Sequence, residues 1–171
     1  MKRLLAALAL LGGCLVFGIS AADTGTPSNV DHRSGYFHLL LLDQREAMEH
    51  VKALHEYADH HGDVLDPLVL CRHVDDLGRN IQGMQDDLVM IEKAPGTSVA
   101  SWTKKIHGQQ VEVAKSYAAL KAQCEEPVVK PERVKSLAVD LYLKLRPMSK
   151  QDHRMMMRMA VLEPMSPVRF P

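Results

Sequence analysis

The sequence predicts an all-α protein that folds as an antiparallel helical bundle. From Leu70 to Ile91 the apolar residues alternate at spacings of four and three without a gap, a pattern typical of a helix with one buried face. Aromatic residues make up only 5% of the chain and Ala, Leu and Met are plentiful, which favours helix–helix packing over a sheet. A length of 171 residues with 46% hydrophobic content suggests one domain with a real core.

We predict three long helices with short connections, an arrangement in which neighbours pack antiparallel. Polar capping residues, a proline in the first turn and a glycine after the last turn mark their ends. The expected starts and ends, in chain order, are Ser34 and Gly62, Asp66–Pro67 and Lys93, and Thr97 or Ser98 and Glu126.

The fourth helix is predicted to be broken. It begins at Pro131 and should stop or kink at Pro147, because proline lacks the amide donor and clashes with the preceding turn. Ser149 with Asp152 looks like a capped restart. The single bundle domain is expected to span residues 34–163, followed by an irregular tail at 164–171.

The N-terminus has the features of a secretory signal. A basic start at Lys2 and Arg3 precedes an apolar run to Ile19, and small residues follow it. We therefore expect cleavage of residues 1–22, a flexible leader at 23–33, no transmembrane helix in the mature chain, and a periplasmic or secreted protein. The alternative is a lipoprotein anchored at Cys14.

Signal cleavage would leave two cysteines, Cys71 and Cys124. An even count in an oxidising compartment suggests one disulfide bond. Cys71 lies near the start of the second helix and Cys124 at the end of the third, so both are expected at the same end of the bundle. A disulfide would then tie these two helices together.

Histidines gather near the same end of the predicted bundle. In an antiparallel pair, residues equally far from the turn face each other, so His55 is expected at the height of His73. Imidazole suits zinc and copper, which makes this end a candidate metal site. The alternative is a polar end with solvated histidines. The candidate ligands are His55, His60, His61 and His73.

A second candidate metal site lies in a methionine-rich segment. His153 has helical spacing to Met156 and Met157, and soft thioethers favour copper(I). The alternative is methionine as flexible filler of the core. A third possibility is a haem or copper site formed by His107 with Met84.

Charge is balanced overall, with 21 basic and 21 acidic residues, which excludes a whole-chain basic surface for nucleic acid. It is unevenly distributed, however, because residues 43–93 are mainly acidic and residues 130–171 mainly basic. Either the last segment packs across an acidic face, or it presents a basic surface to a partner or an anionic membrane. The residues of that surface would be Arg146, Lys150, Arg154 and Arg158.

The chain carries no enzyme signature that we can identify. It contains no HExxH, GxSxG, P-loop or glycine-rich dinucleotide turn, and no Glu is followed by His three residues later, as a di-iron bundle requires. We expect an exported helical-bundle protein with a non-enzymatic accessory or partner-binding role, its partner being another protein or a second copy. The alternative is a periplasmic protein that binds copper or zinc.

Overall fold

The computed structural model describes residues 29–61, 63–94 and 99–162, with side chains from Arg33 to Met159. Within these ranges the prediction of an all-α fold is confirmed, and backbone pairing outside helices is limited to an isolated bridge. The predicted signal peptide, the tail at 164–171 and the proposed caps Thr97 and Ser98 lie outside the described residues. The elements are α1 (Asn29–His60), α2 (Pro67–Lys93), α3 (Ala100–Lys121), a short 3-10 helix (Ala122–Glu125) and α4 (Pro131–Leu162).

Helix α2 forms as predicted. The Asp66 carboxylate caps it by accepting a 2.8 Å hydrogen bond from the amide of Leu68, and Pro67 occupies the first turn. All seven positions of the predicted apolar stripe are buried, which at about 2 kcal/mol per large apolar side chain is a major contribution to stability. These residues are Leu70, Val74, Leu77, Ile81, Met84, Leu88 and Ile91.

Helix α1 starts at Asn29, before the predicted cap at Ser34. The reason lies in a contact with the end of α2, where the buried Arg33 guanidinium donates a hydrogen bond to the carbonyl of Ala94. That contact holds the first turns of α1 against the bundle. The part of the expected leader from Asn29 onwards is therefore helical.

Helix α4 runs from Pro131 to Leu162 without interruption, so the predicted break at Pro147 and the restart at Ser149 are wrong. Proline removes one helical hydrogen bond, whose acceptor would be the carbonyl of Leu143. Both Leu143 and Pro147 are exposed, so water can satisfy that carbonyl and the ring meets no packed neighbour. Asp152, the expected capping partner, is instead fully buried.

The four helices pack in sequence order around one core. Helix α1 contacts α2 and α4, and α3 contacts α4 and α2, as expected for an antiparallel bundle. The connections at one end meet through a 3.3 Å hydrogen bond from the Leu65 amide to the Val129 carbonyl. On α3 the buried Gln110 donates to the Met84 carbonyl at 3.0 Å, which fixes the register of α3 against α2.

Two glycines on α2 make room for side chains from neighbouring helices. The Tyr117 side chain of α3 lies against Gly78, and the Asp43 carboxylate of α1 lies against Gly83. A Cβ atom at either glycine would overlap these groups. The glycines thus permit close approach at the α2–α3 and α1–α2 contacts.

Candidate binding groove between α1 and α4

The histidines predicted to form a metal site do not come together in the structure. His60 and His61 bind the end of their own helix, because each Nδ1 lies within hydrogen-bond distance of the carbonyl four residues earlier, at 2.8 Å from Glu56 and 3.0 Å from Tyr57. Imidazoles near a helix C-terminus commonly satisfy its last carbonyls in this way. Both side chains are exposed, which agrees with the alternative of a solvated polar end.

His73 faces His50 and Tyr57 of α1 rather than His55. The ring centroid of His73 lies 6.5 Å from that of His50 and 6.4 Å from that of Tyr57. His55 thus lies near the height of His73 along the bundle, as the distance from the turn predicts, but on a different face of α1. His55 follows His50 by five residues, which turns it about 140° around the helix towards α4. His73 also keeps a buried Nδ1 atom without a hydrogen-bond partner.

Across the described part of the chain, no three His, Cys, Asp or Glu side chains come together in a way that could hold a metal ion. In the methionine-rich segment, Met156 packs partly against the core while His153 and Met157 are exposed. His107 bonds to the Glu92 carboxylate at 2.9 Å, and Met84 is fully buried in the core.

The two cysteines lie at the same end of the bundle, as expected, but as free thiols and not at disulfide distance. The predicted disulfide is therefore not formed in this structure. The Cys71 thiol donates to the carbonyl of Cys124 at 3.8 Å, so the 3-10 helix turns a backbone oxygen towards it. Burial, followed by the hydrogen bond and the charge of Cys71, raises the pKa of Cys124 to about 12.

A buried polar cluster joins three helices below the surface of the α1–α4 pair. Asp152 of α4, 0% exposed, accepts hydrogen bonds from the Gln44 amide of α1 and, at 3.0 Å, from the Trp102 indole of α3. Burial raises the pKa of Asp152 to about 7, although both hydrogen bonds oppose that shift. The oxygen of the Gln44 amide is buried without a partner. The cluster fixes the relative positions of the three helices.

On the outer side of the same helix pair lies a groove of about 480 Å³ that we call the cationic groove. Leu41 and Met48 supply its apolar surface, and cationic or polar side chains from both helices complete it. Its lining residues are Leu41, Arg45, Met48, Ser149, Lys150, His153 and Arg154. Such a lining, with an apolar floor and several N–H donors, suits a negatively charged group attached to an apolar one.

The seam between α1 and α4 continues into a second groove of about 270 Å³, which we call the apolar groove. On α1 it begins at Val51, one turn after Met48, and on α4 at Leu143, about two turns before Lys150. Because the helices are antiparallel, the two grooves follow one another along the same pair. The lining residues are Val51, Lys52, His55, Glu56, Ala138, Val139, Tyr142 and Leu143.

The cations of the cationic groove are not neutralised by neighbouring helices. Arg45, Lys150 and Arg154 form no ion pair among the described side chains. The pKa of Glu49 is lowered chiefly by its hydrogen bond with Lys52 and, to a lesser extent, by the charge of Arg45. Although α4 packs on α1, the ion pairing expected between a basic α4 and the acidic segment is limited, among the described side chains, to a 3.2 Å pair between Lys135 and Asp59. The second half of α4 thus leaves its positive charge available to a ligand.

Sequence reasoning found two of these cations, Lys150 and Arg154, but missed Arg45. Arg45 lies in the acidic segment, so averaging charge along the chain hides it. Its contribution depends on the pairing of α1 with α4.

Comparisons with protein-family models, with characterised proteins and with solved structures gave no match to the chain. Of the helices described, none is long and apolar enough to cross a membrane.

Proposed function

We propose that this chain is an exported, non-enzymatic binding protein whose partner carries negative charge and docks in the cationic groove. One observation carries the proposal: Arg45, Lys150 and Arg154 converge from two helices on one concave surface and form no ion pair among the described residues. Like charges held together cost free energy unless an anion lies between them. A binding role is the most direct reason for keeping them there.

The groove supports binding rather than catalysis. It offers guanidinium and ammonium donors, a Ser149 hydroxyl and the His153 imidazole, but among the described contacts that imidazole makes no hydrogen bond to the hydroxyl, as a general base would. The buried Asp152 is already engaged by Gln44 and Trp102. The chemistry available at the surface is therefore recognition of an anion.

Export rests on the sequence pattern of residues 1–22, which lie outside the described part of the structure. Expression of the full chain in a Gram-negative host, followed by N-terminal sequencing of periplasmic material, tests it. We expect a mature protein that begins near residue 22 or 23. A protein that keeps Met1 and stays in the cytoplasm would contradict this part of the proposal.

Inorganic pyrophosphate is a suitable probe of the cationic groove. We expect its titration, followed by NMR amide shifts, to perturb α1 around Arg45 and α4 around Lys150, and to weaken as salt is added. Neutralising the groove with R45Q/K150Q/R154Q should raise the Kd at least about tenfold, since each lost charge removes about 1 kcal/mol. Shifts confined to other helices would contradict the proposal.

The matched control for this experiment removes the same charge from α3. The variant K104Q/K105Q/K121Q changes three exposed lysines outside the groove. We expect it to bind pyrophosphate as the native protein does. If both triple variants weaken binding equally, net charge rather than the groove is responsible, and the proposed site is wrong.

Metal binding is a second candidate function, and one contact favours it. The His50 and His73 rings face each other across α1 and α2, and the buried Nδ1 of His73 has no partner. Imidazole pairs bind copper and zinc. Elemental analysis of dialysed protein tests this function. Stoichiometric copper or zinc that is lost in H50Q would support it, whereas metal-free native protein after loading and dialysis would reject it.

A further inference from the structure

The cationic and apolar grooves lie end to end on one helix pair, and their chemistry differs in the order that an amphiphile requires. One end presents Arg45, Lys150 and Arg154. The other end is walled by Val51, Ala138 and Val139 from both helices. A ligand that filled both would need a negative head joined to an apolar chain.

We propose that the seam binds a single-chain anionic amphiphile, with its carboxylate or phosphate head in the cationic groove and its chain along the apolar groove. This inference rests on the proposed function and adds the class of ligand. Guanidinium groups bind carboxylate and phosphate oxygens with directed, charge-assisted hydrogen bonds, which suits Arg45 and Arg154 to the head. The chain gains free energy by covering apolar surface that is otherwise in contact with water.

The exposure of the apolar wall supports a missing occupant. Leu143 is 61% exposed and Val139 is 45% exposed, although both lie beside the buried positions of α4. A chain in the groove would cover part of this surface.

The dimensions of the seam also agree with one extended chain. From Leu41 to Glu56 it follows α1 for about 22 Å, at about 1.5 Å per residue. One leaflet of a bilayer, filled by extended chains, is about 15 Å thick. The seam therefore has room for such a chain and its head group, and the narrow apolar groove of about 270 Å³ suits one chain rather than two.

Calorimetric titration with monomeric dodecyl phosphate tests the inference. We expect it to bind on the order of a hundredfold more tightly than inorganic phosphate, because the chain buries apolar area. Dodecyl maltoside, with the same chain and a neutral head, should bind at least about tenfold more weakly than dodecyl phosphate. Equal affinities for dodecyl phosphate and inorganic phosphate would overturn the inference.

Two matched double variants test where the alkyl chain of the ligand binds. V139Q/L143Q changes exposed residues of the apolar groove, and V89Q/V111Q changes exposed residues of a separate groove between α2 and α3. We expect the first pair to weaken dodecyl phosphate at least about tenfold while pyrophosphate binding stays unchanged, and the second pair to change neither. Equal losses in both pairs would overturn the placement of the chain.

The outcomes separate this inference from the proposed function. Pyrophosphate binding at the cationic groove without any gain from the dodecyl chain leaves the proposed function standing and rejects the amphiphile. If neither pyrophosphate nor dodecyl phosphate binds specifically, both the proposed function and the amphiphile are rejected. Binding to phosphatidylglycerol vesicles without binding of monomeric dodecyl phosphate would mean that the surface takes a membrane, and it would also overturn the inference.

Discussion

Replacement of Asp152 by Asn should stabilise the protein at neutral and alkaline pH. Asp152 is fully buried and its pKa is raised to about 7 from an ordinary value of 3.8, chiefly by burial. One pKa unit corresponds to about 1.4 kcal/mol, so the ionised carboxylate weakens the folded state by about 4 kcal/mol. Asn removes the charge, and its oxygen can still accept from Trp102. The present bond from the Gln44 nitrogen is lost, but after a 180° rotation of the Gln44 amide the Asn nitrogen can donate to the Gln44 oxygen in its place.

The stabilisation expected for D152N increases with pH. Below pH 3.8 Asp152 is protonated in both the folded and the unfolded chain, and its charge costs nothing. Between about pH 4 and pH 7 only the unfolded chain ionises, so the free energy of unfolding falls as pH rises. Above pH 7 the loss is complete. The difference in unfolding free energy, D152N minus native, should therefore rise by about 4 kcal/mol from pH 4 to pH 8.

Urea unfolding at several pH values measures this difference, and D140N provides the control. Hydrogen bonds from Lys144 and Ser116 lower the pKa of Asp140, so its ionised form stabilises the fold above pH 3.8 and that stabilisation is lost as pH falls. For D140N the unfolding free energy minus that of the native protein should be slightly negative and should not change between pH 5 and pH 8. A D152N difference that is flat or falls with pH would refute the reasoning.

Three further predictions concern the helices and the thiols. Gly108→Ala should stabilise the protein by up to about 1 kcal/mol in urea unfolding, whereas Gly78→Ala should not, because only Gly78 lies against another side chain. Pro147→Ala should raise the free energy of unfolding by about 2 kcal/mol, since α4 continues through it, and an unchanged value would contradict a continuous helix. Iodoacetamide at pH 8 should alkylate Cys124 more slowly than Cys71, because burial and the neighbouring thiol raise the pKa of Cys124; equal rates, measured by mass spectrometry, would contradict this.

The apolar positions of individual helices were readable from the sequence. The stripe on α2 is buried as predicted because each of its positions follows from spacing along one helix. On α1 the residues that recur at the same three and four spacing, from Phe37 to Ala58, are buried too, whereas the next position at that spacing, His61, lies beyond the end of the helix and is exposed. Periodicity succeeds where one face meets the core over its whole length.

The errors arose where the outcome depends on a second helix. Pro147 did not end α4 because its side of the helix faces solvent, a fact that its own sequence neighbourhood does not contain. The burial of Asp152 depends on Gln44 and Trp102, each from a different helix. His55 was assigned the right height but the wrong face, which only the packing of α1 between α2 and α4 decides.

The candidate site was partly predictable for the same reason. The basic character of α4 predicted Lys150 and Arg154 as a surface for a negatively charged partner, and the structure adds Arg45 from a segment that is acidic on average. The apolar groove alongside needed knowledge of which helices are neighbours. Composition along the chain therefore indicated the charge of the candidate site but not its shape.

The position of dodecyl phosphate on the protein tests the central claim most directly. Intermolecular NOEs from the alkyl chain should reach the methyl groups of Val51 and Val139, and the phosphate should shift the guanidinium resonances of Arg45 and Arg154. That result would place one amphiphile along the seam between α1 and α4. NOEs to Val111, in the groove between α2 and α3, with unshifted guanidinium resonances, would contradict the claim.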